Sequence, residues 1–75
     1  MKDEMTYEII KHIGVISVYP TGWRKELNLI SWNDNNPKYD IRDWSPDHKH
    51  MSRGIALHKD EAEKLRELLE EALKM

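Results

Sequence analysis

Cysteine is absent from the 75 residues, which removes disulfides and thiolate metal sites together and suits a reducing compartment. Glycine and proline number three each and are scattered, so no flexible or Pro-rich linker divides the chain. With no internal repeat either, residues 1–75 read as one domain. Long apolar runs are missing too. The longest uncharged stretch, GVISVYPTGW at 14–23, is broken by Pro20 and Gly22 and falls short of the roughly 20 apolar residues of a membrane helix. The opening MKDEM mixes charges where a secretion signal needs a basic start and an apolar stretch. A soluble, cytoplasmic protein is expected, with no membrane partner.

A dominant charge is also lacking, the net being −2, and that average argues at first against nucleic acid. It hides a partition. Residues 60–75 hold six acids against three bases, whereas residues 11–59 hold eight bases against five acids and all four histidines. An acidic end follows a mildly basic body.

What is present organises into strands and one helix. YEIIKHIGVISVY, 7–19, is rich in β-branched and aromatic residues, but its alternation breaks near Gly14, where a bend or bulge is expected. Pro20, Thr21 and Gly22 make a turn. WRKELNLISW, 23–32, alternates better, and NDNNP, 33–37, closes a hairpin onto KYDIRDW, 38–44. SPDHKHMS, 45–52, reads as an exposed loop and RGIAL, 53–57, as a short strand. From about residue 59 the period changes from 2 to 3.6, with Ala62, Leu65, Leu68, Leu69, Ala72 and Leu73 forming one stripe. Two capping boxes compete for the helix start, Asp60 with Glu63 and His58 with Glu61. The expected fold is therefore α+β, a four-stranded antiparallel sheet over about 7–57 followed by one helix over about 59–74.

One helix covers one sheet face. The other face, on the second and third strands, carries Arg24, Asn28, Ile30, Trp32, Lys38, Arg42 and Trp44 by simple alternation. Aromatic rings among cations suit single-stranded nucleic acid, whose bases stack on rings while its phosphates meet Lys or Arg. Asp40, between Lys38 and Arg42, is expected to position them.

Other chemistry finds less support. His48 and His50 stand two apart in a loop without further ligands at a known spacing, so no metal is expected. No Gly-rich phosphate loop, nucleophile elbow or HExxH motif occurs, and Glu26, Asp40 and Asp43 have no evident deep cleft to shift their pKa values. Neither an enzyme nor a cofactor nor a small-molecule substrate is expected.

The succession GWRKELNLISWND, PKYDIRDWSPDHKHM and RGIAL before an acidic helix resembles the positive cofactor four domain, the single-stranded DNA-binding fold of a eukaryotic transcriptional coactivator. It looks most like the bacterial YdbC-type members of that family. The resemblance spans residues 7 to about 72. It implies a curved four-stranded sheet with a carboxy-terminal helix, paired as a two-fold homodimer, with single-stranded DNA along the face opposite the helices. By position it implies contacts from Arg42 and Trp44 on the third strand and Trp32 at the end of the second. It also implies contacts from Lys49 in the loop and Arg53 at the start of the fourth strand. Arg24, Lys25 and Lys38 join the site by neighbourhood. Nothing corresponds to the coactivator's preceding regulatory region, and His58 stands where the family commonly has a Ser or Asn cap. The expected function is non-sequence-specific binding of single-stranded DNA in transcription regulation, replication or repair. Single-stranded RNA binding, or protein interaction without nucleic acid, is the alternative. Pairing also suits the length, because a chain this short buries only about 60% of its unfolded surface and needs a supplement to its core.

Overall fold

The computed structural model describes residues 6–75. Four antiparallel strands, β1 (Tyr7–Val18), β2 (Arg24–Trp32), β3 (Lys38–Trp44) and β4 (Met51–Leu57), run in sequence order across an open sheet, and α1 (Lys59–Leu73) follows. The fourth strand starts two residues before the expected RGIAL. At the helix start the His58 box prevails: the His58 backbone N–H donates to Glu61 Oε1 at 2.8 Å. Asn33 and Asp34 both take positive φ, 51° and 63°, in the tight β2–β3 turn, a conformation Asn and Asp tolerate better than most residues.

The break in β1 is larger than a single bend. Its 12 residues oppose the 9 of β2 because the register skips Ile10, Ile13 and Ile16, one residue in every three. Each such bulge sharpens the local right-handed twist. The consequence is visible at the sheet corners. Tyr7 lies opposite Trp32 and Trp44 opposite Arg24, at the two ends of β2, which are about 26 Å apart at about 3.3 Å per residue. Their rings are nevertheless 5.7 Å apart. The sheet twists so strongly that these diagonal corners close over one face.

That closure decides where the core sits, and it corrects the expectation of a solvent-facing sheet face opposite the helix. Among the described residues the fully buried large side chains are Trp44, Ile30, Glu26, Asn28 and Asp40, all on the face that alternation assigns to water. The helix side is the open one. Leu27, Ile41 and Leu57 face Ala62, Leu65, Leu69 and Leu73 across a groove of about 390 Å³, and no helix residue is buried. Ile16, Ile55, Leu69 and Leu73 are all more than half or nearly half exposed. Among the described residues no helix is long and apolar enough to cross a membrane.

Candidate nucleic-acid interface

The closed face holds two linked clusters. At one end of β2, Trp32 meets the Tyr7 ring at 5.5 Å and the Arg42 guanidinium at 4.7 Å, while Trp44 lies between Tyr7 and His48, at 5.7 and 5.5 Å. At the other end, the buried Glu26 carboxylate is surrounded. Its Oε1 accepts from the Asn28 amide at 3.2 Å, and its Oε2 is 2.9 Å from His48 Nε2 and 3.3 Å from Arg24 Nη2. His12 Nδ1, 2.7 Å from Asn28 Oδ1, closes the network from β1. A carboxylate so deeply buried needs such partners, because unpaired charge is expensive out of water.

His48 reaches Glu26 because its backbone is left-handed, φ 60°, within a loop tied by its own side chains. Ser45 Oγ donates to Asp47 Oδ1 at 2.7 Å and accepts from the His50 N–H, and the Lys49 N–H donates to the same Asp47 oxygen. These bonds, the Lys49 N–H first and the Ser45 hydroxyl second, hold the Asp47 carboxyl below its ordinary value. The β1–β2 turn packs here too, since a Cβ on Gly22, at φ 91°, would press on Pro46.

Of the expected contacts, Arg24, Trp32, Lys38, Arg42 and Trp44 do share this face through the β2–β3 register. Trp32 and Lys38 are half-buried, Arg24 is partly exposed, and Lys49 and Arg53 are exposed. Three assignments need correction. Trp44 is 1% exposed, with Tyr7 and His48 against it, so its ring offers no free surface in this structure. Arg42 is not free for phosphate. Its Nε and Nη2 donate to the two Asp40 oxygens at 2.6 and 2.7 Å, and Nη1 turns to the Ser52 carbonyl at 3.3 Å. Asp40 thus does position Arg42, by consuming it. Lys25 alternates onto the helix side, where it pairs with Asp43 at 3.1 Å; the Tyr19 hydroxyl, and after it Asp43, raise its pKa.

Sequence reasoning missed Tyr7 and His48 as members of this face, and the burial of Glu26, which alternation does place there. Tyr7 had a local signal, the Tyr-x-Ile alternation that precedes the first bulge. The burial of Glu26 had no signal, because it depends on how the twisted sheet closes. His48 had none, because its place depends on a backbone φ. Among the described residues no cluster of His, Cys, Asp and Glu is arranged to hold a metal ion.

Comparison with known proteins agrees with the geometry. The sequence model of the family described as Transcriptional Coactivator p15 (PC4) matches residues 19–68, from the end of β1 to the middle of α1. A protein of Treponema pallidum (strain Nichols), described only as uncharacterized, is 44% identical over 69 residues, covering 92% of this chain and 81% of its own. A match over residues 19–68 takes in the β2–β3 register, Glu26 with its partners Arg24, Asn28 and His48, and the loop that carries Lys49, and the chain belongs to the Transcriptional Coactivator p15 (PC4) family.

Proposed function

We propose that the protein binds single-stranded DNA without sequence specificity, as a homodimer, in the cytoplasm of a bacterial cell and without catalysing a reaction. The observation that carries this reading is the aromatic cluster on the same sheet face as Arg24 and Lys38, in a chain of a family associated with nucleic-acid binding. Bases stack on the accessible edge of that cluster at Trp32, and phosphates meet Arg24, Lys38, Lys49 and Arg53. Duplex is disfavoured because its bases are already stacked on one another.

The open helix side supports pairing. A groove of about 390 Å³ lined mainly by leucine and isoleucine, with Leu73 of its lining 81% exposed, is a contiguous apolar surface of the kind that serves as an interaction site. A second copy related by a two-fold axis offers the same patch to itself.

The test is a titration of a labelled oligothymidine of about 20 nucleotides, with the matching duplex and RNA in parallel, read by anisotropy at several salt concentrations. Salt-dependent binding with preference for the single strand is expected, and Lys49→Ala lowers the slope of log affinity on log salt by about 0.7 if it meets one phosphate. Failure of the single strand to bind at low salt refutes the reading and leaves the helix side as a protein-binding surface.

A further inference from the structure

We infer that Tyr7, at the start of β1, is a base-stacking residue of the interface, and that Trp44 acts only as its support. The inference rests on the single-strand reading above and adds a residue outside the stretch matched by the family, which begins at Tyr19.

Three observations carry it. First, exposure divides the aromatic cluster: Tyr7 is 39% exposed and Trp44 1%. Trp32 lies between them in exposure and already carries the Arg42 guanidinium over its ring at 4.7 Å. A ring with free surface is the one that offers a face to a base. Second, Tyr7 is backed rather than mobile in isolation. Its ring rests against both indoles, 5.5 Å from Trp32 at 44° and 5.7 Å from Trp44 at 54°, tilted contacts of the kind aromatic pairs favour.

Third, the strand end that carries it is pinned. The Thr6 N–H donates to Asn33 Oδ1 at 2.9 Å and the Asn33 N–H donates to the Thr6 carbonyl at 2.8 Å, tying β1 to the β2–β3 turn. Prior ordering of this kind reduces what a ligand must immobilise. A cation stands within the same end of the face: Lys38 pairs opposite Ile30, the residue two before Trp32 in β2, while Tyr7 pairs opposite Trp32 itself. Lys38 thus shares the sheet face and the end of β2 with Tyr7, a cation in the neighbourhood of the proposed stacking ring.

The test uses the full chain and oligothymidine, with wild type, Tyr7→Leu and Tyr7→Phe in one titration. Leucine keeps an apolar cover over the indoles but has no ring, so affinity falls about 5- to 150-fold, the range for losing one stacked base. Phenylalanine keeps the ring and stays within about twofold of wild type. Ultraviolet cross-linking of wild type to a halogenated deoxyuridine strand, mapped by mass spectrometry, places the adduct on Tyr7.

Tyr7→Leu binding as wild type overturns the inference, as does tighter binding, which makes Tyr7 a cover that bases must displace. A cross-link on Trp32 in place of Tyr7 overturns it too. In each of these cases wild type still binds and the single-strand reading stands; wild type that fails to bind removes both.

Discussion

Replacing Asp40 by alanine removes both acceptors of the best-formed ion pair in the sheet. Asp40 is 0% exposed and the Arg42 side chain 14%, so the guanidinium left behind is largely cut off from water. Breaking a buried pair from one side costs about 3–5 kcal/mol, because the remaining charge stays desolvated. What remains to Arg42 is the Ser52 carbonyl at 3.3 Å, the Met51 sulfur at 3.7 Å and the Trp32 ring at 4.7 Å, and none of these carries a negative charge. The expected loss for Asp40→Ala is about 3–5 kcal/mol. A whole domain has only about 5–15 kcal/mol, and a chain this short stands near the lower end.

Urea unfolding followed by tryptophan fluorescence measures this directly, at one protomer concentration so that association does not shift the midpoint. A double mutant separates the orphaned charge from the lost contact. Asp40→Ala with Arg42→Met removes the orphaned charge and recovers part of the loss, so the pair is less destabilised than Asp40→Ala alone. A loss under about 1 kcal/mol for the single variant, or simple additivity in the double, would refute the claim that burial of an unpaired guanidinium sets the cost.

The other predictions concern different parts of the molecule. A Cβ on Gly54 would overlap the Ile41 carbonyl oxygen and Arg42 Cβ, atoms with little room to move; Gly54→Ala should lower stability by roughly 1–3 kcal/mol in the same urea assay. Leu69→Asp puts a charge in the open groove and, on the proposed helix-side pairing, should sediment as a folded monomer where wild type sediments as a dimer; a variant that still dimerises would place the contact elsewhere. The depressed Asp47 carboxyl stabilises the loop above its unfolded value near 3.8, a contribution that disappears as pH falls through the lower folded value. Asp47→Asn should therefore be less stable than wild type at neutral pH and lose that difference in acid; a gap constant down to pH 2 would argue against it.

Residues 24–32 and 38–44 were legible because each has a clean two-residue period closed by turn formers, and α1 because six apolar positions share one stripe. The side on which the sheet packs was not legible. Alternation sorts Leu27 from Asn28 onto opposite faces, but it carries no information about which face the twist will close. That choice depends on contacts between distant residues, Tyr7 with Trp44 above all. The result is a polar interior of Glu26, Asn28 and Asp40 where pattern reading places water. Trp32 and Trp44 were correctly placed on one face; their exposure was misjudged because the ring that covers them arrives from a strand whose period the bulges scramble.

Those bulges have a consequence beyond curvature. β1 is an edge strand, and its outer row of amide and carbonyl groups is the natural template for a passing strand from another molecule. A regular strand laid against it would fall out of step at Ile10, at Ile13 and again at Ile16, never matching more than three consecutive residues. A chain that leaves so many isoleucines in solvent thus stays protected against runaway fibre growth along that edge. The proposed pairing through the helix side avoids that edge, since a two-fold contact there closes on itself after two copies.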